Sequence, residues 1–186
     1  ITRYLARKSN GIIVTNQEDY AQTNAIKMRK LIPIGSNIST TLPEDFDRTL
    51  WRENMGIKSD DFLMAHFGFM NRTKGIEILL EDMAVIRQHY QYPIKLVMIG
   101  GKTGDSDPSN AEYAEEIYAK IECLNLSDSI IWTGYVDDTK VSAYLVACDV
   151  VVLPFKDGAS YRRGSLMAAI HHGCAIITTA PRVYEI

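Results

Sequence analysis

Short apolar runs rich in β-forming residues alternate along this chain with segments of helical period, and this alternation limits the fold more than any other feature. Runs with the length of strands occur at 11–15, 62–68, 94–99, 129–133, 149–153 and 174–178. Between them, apolar residues form two helix faces, one at Ile76, Leu79, Leu80, Met83 and Ile86, the other at Ala111, Ala114, Ile117, Ile121 and Leu124. The pattern predicts an α/β fold with a parallel sheet between helices.

Several residues indicate where the elements begin and end. Asp137 or Asp138 is suited to cap a short helix, and Gly75 and Gly173 mark helix boundaries. The stretch from Ile32 to Leu50 contains two prolines and has no clear period. We therefore predict that it is a connection.

Bulk composition excludes several classes of protein. Of 186 residues, 46% are hydrophobic and 23% are charged, which is typical of one large globular domain. The net charge of -3 and the dispersed basic residues argue against nucleic-acid binding. No apolar run has the length of a membrane span, and the first residues do not form a signal peptide. Cys123, Cys148 and Cys174 include no C-x-x-C pair and lie in apolar surroundings, which favours reduced, buried thiols and a cytoplasmic protein.

Polar loops follow four of the predicted strands. These loops begin at Gly68, Gly100, Gly134 and Asp157. Because the carboxyl ends of parallel strands share one edge of the sheet, where ligands bind, the loops should meet at a common crevice. We expect Lys74, Arg162 and Arg163 to lie close together there, beside the flat ring of Tyr135.

The loop from Asp157 to Ser165 joins a predicted strand to an apolar helical stretch. A helix start carries unpaired N–H groups and the positive end of a dipole. Two arginines, two glycines and two serines are added to it here. Guanidinium groups match phosphate oxygens, and glycines allow the backbone to approach a ligand. The loop predicts a phosphate or diphosphate site, and the alternative is a solvated basic loop with an ordinary helix cap.

Two familiar nucleotide-binding motifs fail on spacing. Gly101-Lys102-Thr103 resembles the end of a P-loop, but the glycine expected at position 96 is Leu96. No G-x-G-x-x-G sequence follows a strand, which weakens a dinucleotide-dependent dehydrogenase.

The histidines have simpler explanations than metal binding. His171 and His172 are best explained as residues at a helix end, and His66 as a buried strand residue or one that faces an acceptor. The sequence has no His/Cys cluster, and the D-x-D spacing of Asp105 and Asp107 is not taken to indicate a metal site.

Five tracts in a fixed order carry a resemblance to a known family. They are Pro33-Ile34-Gly35-Ser36-Asn37-Ile38, the loop from Gly68 to Gly75, Ile99-Gly100, the segment from Thr133-Gly134-Tyr135-Val136 to Leu153-Pro154, and the run from Ser165 to Thr179. Their order and spacing resemble the C-terminal, nucleotide-sugar-binding domain of the retaining glycosyltransferases of group 1 (family four type), which have the two-domain GT-B fold. The resemblance covers about residues 30–186.

The resemblance also implies how the chain is divided. Residues 1–37 would be the end of an N-terminal acceptor domain and the interdomain connection. Residues 38–186 would be the nucleotide-sugar-binding domain, with a Rossmann-like, doubly wound parallel sheet and a truncated C-terminus. We accordingly expect the chain to be a fragment of a longer protein.

The chain departs from the family pattern in two ways. Members commonly place two glutamates eight residues apart around the last phosphate loop, and this chain has Ser160 and Ala168 at those positions, neither of which supplies a carboxylate. The arginine that commonly follows the first loop glycine is replaced by Phe69, although Arg72 is near enough in sequence to substitute. A subgroup of the family carries a phosphate loop like the one from Asp157 to Ser165, so the missing glutamates leave activity open and the donor sugar unidentified.

The resemblance implies transfer of a sugar from a nucleoside diphosphate sugar to an acceptor hydroxyl with retention of anomeric configuration. Fixed cations and N–H groups would stabilise the charge that builds on the leaving diphosphate. We predict catalytic roles for Lys74, Arg163 and Asp157, with Asp157 preferred over Asp105 and Asp107 for contact with sugar hydroxyls. The residues predicted to bind the nucleotide sugar are Gly68, Arg72, Gly100, Gly101, Tyr135, Val136, Ser160, Arg162, Gly164 and Ser165.

Expected partners follow from the same resemblance. The nucleoside diphosphate sugar is a substrate, and neither a cofactor nor a metal is expected. The acceptor would be a glycan, a lipid-linked molecule or a small molecule, and the protein's own N-terminal domain would be a further partner. No nucleic-acid partner is expected, and peripheral membrane association of the full-length protein stays open.

Two other functions compete with sugar transfer. The same fold would serve a sugar-nucleotide epimerase or a phosphorylase, because function resides in sites placed on a fold. The second is a non-catalytic nucleotide-sugar-binding module, which lost its chemistry with the two glutamates.

Overall fold

A small parallel pair of strands precedes the main sheet. The computed structural model describes residues 2–101 and 108–182. Its first elements are α1 (Thr2–Lys8), β1 (Ile12–Val14), α2 (Gln17–Gln22) and β2 (Arg29–Leu31). β1 and β2 pair in parallel, with α2 as the crossover between them. The side chain of Asn16 caps α2 by accepting a hydrogen bond of 2.7 Å from the Asp19 N–H.

A five-stranded parallel sheet organises the rest of the described chain. Its strands are β3 (Phe62–Phe67), β4 (Ile94–Ile99), β5 (Ile130–Gly134), β6 (Val150–Leu153) and β7 (Ile176–Thr178). Their order across the sheet is β5–β4–β3–β6–β7, and every neighbouring pair is parallel. From β3 the chain adds β4 and β5 on one side, and it then returns to add β6 and β7 on the other side of β3. The direction of winding therefore switches between β3 and β6. Ligands bind at such switch points in open α/β sheets.

Helices cover both faces of this sheet. They are α3 (Arg48–Asn54), α4 (Ile76–His89), α5 (Pro108–Cys123), α6 (Asp138–Ala147) and α7 (Gly164–His171). One buried apolar cluster joins α4 and α5 to the sheet through Met64, and the other joins α6 and α7 to it through Leu63 and Ala65. Successive residues of β3 therefore point to opposite faces. The doubly wound parallel sheet predicted from the sequence is confirmed.

Some elements differ from the sequence predictions. The apolar pattern missed α1, α2 and β2, which are short, and it missed α3, whose first turn overlaps the predicted connection. A buried arginine holds α3 in place: the guanidinium of Arg52 donates to the carbonyl oxygens of Ala147 (3.0 Å) and Asp61 (2.7 Å). An anchor of this kind leaves no apolar period in the sequence.

Strand ends also moved by one or two residues. The strand predicted at 62–68 ends at Phe67, since Gly68 has a φ of 129° and leaves the extended conformation. Lys102, Thr103, Asp105 and Asp107, which entered the sequence predictions, lie outside the described residues. In the described ranges, no helix combines the length and the apolar character needed to cross a bilayer.

Candidate anion site at the switch point of the sheet

Three of the four polar loops begin side by side at the carboxyl edge of the sheet. The Gly68 N–H donates to the Ile99 carbonyl at 3.0 Å, and the Gly100 N–H donates to the Thr133 hydroxyl at 3.2 Å. A β-carbon on Gly100 would lie 3.3 Å from the Gly68 carbonyl oxygen. Gly100 and Gly134 form an isolated bridge. Backbone of the three loops is thus exposed along one rim with little side-chain bulk.

The loop after β3 is fastened to the loop after β6. A short 3₁₀ turn (Arg72–Lys74) leads to Gly75, which has a φ of 66°. A β-carbon on Gly75 would lie 2.1 Å from the Pro154 carbonyl oxygen, so only glycine permits this approach. The Lys156 N–H donates to the Thr73 carbonyl at 3.0 Å. These contacts hold the two loops at the switch point in a fixed relation.

Lys74 lies at the centre of the candidate site. Its ammonium donates to the hydroxyl of Ser165, at the start of α7, over 2.9 Å, and it lies 5.1 Å above the centre of the Phe155 ring. The pKa of Lys74 is lowered to about 8, chiefly by burial and also by the charge of Arg163, while Asp157 opposes both effects. The amine is therefore a desolvated cation without a full counter-charge.

Arg163 places a second cation beside Lys74. Its guanidinium lies 4.8 Å above the same Phe155 ring and forms an ion pair with Asp157. Arg163 is also the residue that precedes α7, and its side chain makes no capping hydrogen bond to the helix. The first N–H groups of α7 thus point towards a region that contains two cations and one carboxylate. Such a region favours a bound anion.

The two arginines of the loop point to different partners. Arg162 forms an ion pair with Asp19 of α2, and Arg163 faces Asp157. Adjacent side chains in extended backbone project to opposite sides, and Arg163 has extended backbone angles. The expectation that Arg162 would lie beside Lys74 in the crevice is therefore wrong, because Arg162 faces Asp19 instead.

Arg72 also turns away from the expected position. Its guanidinium donates to both carboxylate oxygens of Glu116 on α5, one of them at 2.8 Å, and lies 5.4 Å from the centre of the Tyr113 ring. The ion pair raises the pKa of Arg72 and lowers the pKa of Glu116. The carboxylate of Glu116 binds the guanidinium through two hydrogen bonds, which makes it a stronger partner for Arg72 than the backbone at the rim of the sheet is. Arg72 therefore does not take the place of the arginine that relatives commonly have at the position of Phe69.

The remaining predicted residues line the rim in different ways. Tyr135 is 85% exposed, and Val136 packs against the core beneath α6 and α7. Gly101 is half-buried next to Gly100. Ser160 is half-buried, and its carbonyl accepts a hydrogen bond of 3.0 Å from the N–H of Arg163.

Ala168 differs from Ser160, the other position at which the family commonly has a glutamate. It is completely buried within α7 and belongs to the apolar core. The chain therefore has no group there that reaches a ligand.

His66 is a buried polar residue beneath the site, as expected from its interpretation as a buried strand residue. Its Nδ1 is 3.0 Å from the Val152 carbonyl oxygen, which only accepts hydrogen bonds, so Nδ1 carries the hydrogen. The pKa of His66 is lowered to about 4, chiefly by burial and also by the charge of Lys74, although the hydrogen bond to Val152 opposes both. The imidazole is neutral at pH 7, and its Nε2 has no hydrogen-bond partner within the described residues.

His172 has a structural role. Its Nε2 lies 2.8 Å from the Ser142 hydroxyl of α6, and its Nδ1 lies 2.7 Å from the Ala168 carbonyl. It thereby ties the end of α7 to α6, as expected for a helix-end residue. Within residues 2–101 and 108–182, no group of three or more His, Cys, Asp or Glu side chains is placed to hold a metal ion.

A cavity of about 740 Å³ lies at the opposite edge of the sheet. It is lined by the first residues of β3 and β4 together with Tyr90, Tyr92 and Arg48. Its lining contains three basic side chains and four acidic ones, so this edge has no excess of positive charge: Arg48, Arg52 and Lys58 against Glu53, Asp60, Asp61 and Asp149. The carboxyl edge, with its uncompensated cations and open helix start, is the better candidate for ligand chemistry.

Solved structures with the same fold include glycosyltransferases. HepE of Anabaena, solved in complex with UDP and glucose, is 20% identical with a TM-score of 0.75, and the match covers 96% of this chain and 47% of HepE. Sucrose-phosphate synthase of Thermosynechococcus elongatus is 25% identical with a TM-score of 0.68, over 89% of this chain and 39% of the synthase. The chain thus spans less than half the length of these two proteins.

A third match covers a single domain. The C-terminal domain of the group 1 glycosyl transferase LpcC of Francisella tularensis is 22% identical with a TM-score of 0.59, over 78% of this chain and 69% of that domain. No curated protein sequence matches the chain.

The sheet order, the switch-point loops and these likenesses show a Rossmann-like α/β fold that the chain shares with glycosyltransferases of the GT-B fold. The family model described as glycosyl transferases group 1 matches residues 47–181, and the chain belongs to that family.

Proposed function

We propose that this chain supplies the nucleotide-sugar site of a retaining glycosyltransferase, which moves a sugar from a nucleoside diphosphate sugar to an acceptor hydroxyl. The contact between Lys74 and Ser165 carries the proposal, because it joins the loop after β3 to the start of α7 at the switch point. Membership of the group 1 family and the complexes of HepE with UDP and with UDP-glucose support the choice of ligand.

The diphosphate would lie at the start of α7. There the N–H groups of Gly164 and Ser165 and the cations of Lys74 and Arg163 would surround its oxygens. When the bond between the sugar and the diphosphate breaks, negative charge builds on the leaving oxygen. Groups that are already fixed and partly desolvated stabilise this charge without reorganising, so they contribute more in the transition state than in the ground state. We propose that these cations supply the stabilisation without a metal ion.

Asp157 would hold Arg163 in position and accept hydrogen bonds from sugar hydroxyls. Its ion pair with Arg163 fixes the guanidinium over the Phe155 ring. The carboxylate is 43% exposed and so retains free oxygen lone pairs. If the diphosphate is bound at the start of α7, the hydroxyl groups of the attached sugar would donate hydrogen bonds to the Asp157 carboxylate.

The base would lie on the rim beyond the phosphates. Tyr135 offers an exposed ring for stacking next to Val136, and Gly68, Gly100 and Gly101 allow the backbone to approach the nucleoside. We propose that residues 1–37, with the parallel pair of β1 and β2, belong to the acceptor domain and the connection. The three free cysteines support a cytoplasmic setting for the whole protein.

One observation favours a second candidate function, a module that binds a nucleotide sugar without turning it over. Ala168 is fully buried where relatives commonly have a glutamate, and Ser160 supplies no carboxylate at the other position. A binding module would retain the affinity of the site and lack transfer. An epimerase would interconvert nucleotide sugars in the absence of an acceptor, so an assay without acceptor separates it from the other two.

Calorimetric titration of this chain with UDP, GDP, ADP and UMP tests the proposal. We expect one nucleoside diphosphate to bind more tightly than the monophosphate, with an affinity that falls as salt rises. Arg163→Ala should weaken it about tenfold to a hundredfold, because a charge-assisted hydrogen bond contributes roughly 1.5–3 kcal/mol.

Arg87→Ala is the matched control for Arg163→Ala. Arg87 is exposed at the far end of α4, where it donates to the Asn125 carbonyl, and its loss should leave affinity unchanged. Failure of the folded chain to bind any of the four nucleotides would overturn the proposal. Equal losses of affinity in Arg163→Ala and Arg87→Ala would show that the nucleotide does not bind at Arg163.

A further inference from the structure

Two cysteines from different elements meet at the end of α6. Cys148 follows the last residue of α6, and Cys174 lies between α7 and β7. Their sulfur atoms are 3.0 Å and 3.5 Å from the same oxygen, the carbonyl of Leu145. Neither residue is fully buried. The third cysteine, Cys123, is exposed at the end of α5.

We propose that Cys148 and Cys174 form an oxidisable dithiol site, at which a low-molecular-weight disulfide such as oxidised glutathione converts the two thiols into one intramolecular disulfide. Two sulfurs that lie within 3.5 Å of one carbonyl oxygen are near neighbours, and rotation of their side chains would bring them to bonding distance. A single buried cysteine has no second thiol nearby, so its reaction with a disulfide stops at a mixed disulfide or does not occur.

The chemistry balances as two thiol–disulfide exchanges. The Cys174 sulfur, as thiolate, attacks one sulfur of the oxidised glutathione, which forms a mixed disulfide and releases one glutathione thiolate. The Cys148 sulfur then loses its proton and attacks Cys174, which forms the internal bond and releases the second glutathione. Two cysteine thiols are oxidised and one glutathione disulfide is reduced to two thiols.

The local electrostatics favour this order of attack. The neighbouring Cys148 lowers the pKa of the Cys174 thiol, whereas Cys174 and burial raise the pKa of Cys148. Cys174 is thus the thiolate that forms first, and Cys148 is the resolving thiol.

The cross-link would close a loop that contains the candidate anion site. Asp157, Arg163 and Ser165 all lie between positions 148 and 174. Oxidation would therefore join the two ends of the segment that carries these residues, while leaving Lys74 on a separate segment. The dithiol itself depends only on the sulfur geometry and stands whether or not the site binds a nucleotide.

The test uses the chain with Cys123→Ser, which removes the exposed thiol and its intermolecular disulfides. After incubation with oxidised glutathione, we expect the two free thiols to disappear, the intact mass to fall by about 2 Da without a glutathione adduct, and dithiothreitol to restore both thiols. Tryptic digestion without reductant should give a linked pair of the peptides 141–156 and 164–182.

Two further variants serve as matched controls. Adding Cys148→Ser or Cys174→Ser to Cys123→Ser should leave a single thiol that takes up at most one glutathione and forms no linked peptide. Two stable glutathione adducts on the Cys123→Ser chain would overturn the proposal, and so would two thiols that remain free under conditions that modify Cys123 in the wild type.

Discussion

Lys74 and Ser165 are 91 positions apart in the chain, and their side chains form a hydrogen bond of 2.9 Å. This contact joins the loop after β3 to the helix after β6, the two strands between which the winding of the sheet reverses. It also leaves the Lys74 ammonium with a neutral partner, beside the charge of Arg163. A bound phosphate would supply the missing counter-charge, and several consequences of this arrangement are measurable.

Nucleoside diphosphate binding should weaken as pH rises above about 8. The pKa of Lys74 in the free chain is lowered to about 8, so the amine loses its charge in this range, whereas the phosphates are already fully ionised above pH 7. A bound phosphate raises the pKa of Lys74, and proton uptake then accompanies binding. Calorimetry in buffers of different ionisation enthalpy should detect this uptake at pH 8.5 and little of it at pH 6.5.

Lys74→Arg provides the control for this pH dependence. A guanidinium stays charged throughout the range, so the variant should bind with an affinity that barely changes between pH 7 and 9.5. If the wild-type affinity were equally flat, the ammonium of Lys74 would not contact the phosphates.

Lys74→Met should stabilise the free chain while abolishing tight nucleotide binding. The pKa of Lys74 is lowered in the folded state from an ordinary value of 10.5, so the unfolded chain holds more protons between about pH 8 and 10.5. Stability therefore rises with pH across that window, and the full cost of the buried charge is present below about pH 8. Relief of this cost should raise the free energy of unfolding by about 1–2 kcal/mol at pH 7 after discounting for partial exposure.

The gain in Lys74→Met should shrink as the pH approaches 10. Urea unfolding at pH 7 and pH 10 measures it, with Lys140→Met as the matched control. Lys140 is an exposed lysine on α6 next to Asp137, and its loss should change stability by no more than about 0.5 kcal/mol. A Lys74→Met chain less stable than wild type at pH 7 would show that the lysine is structural.

The sequence predicted the sheet and its rim well because both depend on local patterns. Continuous apolar runs indicate strands buried on both faces, and the residues that follow them fall at one edge whatever the detailed packing is. Lys74, Arg163 and Asp157 were brought together for this reason. The order of the strands, by contrast, follows from packing of distant segments and was not predicted.

The directions of the side chains at the rim could not be predicted from the sequence. Arg162 and Arg163 are the same residue type at neighbouring positions, and only the backbone at the start of α7 decides which one faces Asp157. The pairing of Arg72 with Glu116 depends on how α5 lies beside the loop. Buried polar residues such as Arg52 and His66 carry no periodic signal, because each hydrogen-bonds to a residue far along the chain.

Gly75→Ala should destabilise the chain far more than Gly173→Ala does. Both glycines end or begin a helix with a φ close to 65°, so alanine costs about 1 kcal/mol of backbone strain at either position. A β-carbon at Gly75 also meets the Pro154 carbonyl oxygen at 2.1 Å, whereas a β-carbon at Gly173 meets no atom within 4 Å. We expect a loss of more than about 3 kcal/mol for Gly75→Ala, measured by urea unfolding, and similar losses in the two variants would contradict the tight approach of the two loops.

Asp149→Asn should be costly because Asp149 links three segments at the amino edge of the sheet. Its carboxylate accepts hydrogen bonds from the Leu63 N–H at 2.8 Å, from Arg48 at 2.7 Å and from Arg52 at 3.1 Å. Burial raises the pKa of Asp149, but these hydrogen bonds outweigh it and hold the pKa below 3.8. An asparagine leaves the buried Arg52 without its counter-charge, and we expect a loss of roughly 3 kcal/mol at pH 7.

The pH dependence of this loss separates charge from shape. A carboxyl with a lowered folded pKa contributes stability above its unfolded pKa, and the contribution disappears as pH falls through the folded pKa. The difference in unfolding free energy between wild type and Asp149→Asn should therefore be constant from pH 7 to 5 and shrink below about pH 3.8. Asp137→Asn is the matched control, because Asp137 caps α6 at an exposed position and asparagine caps a helix equally well. If Asp149→Asn cost no more than Asp137→Asn in urea unfolding at pH 7, the ion pairs with Arg48 and Arg52 would contribute nothing to the fold.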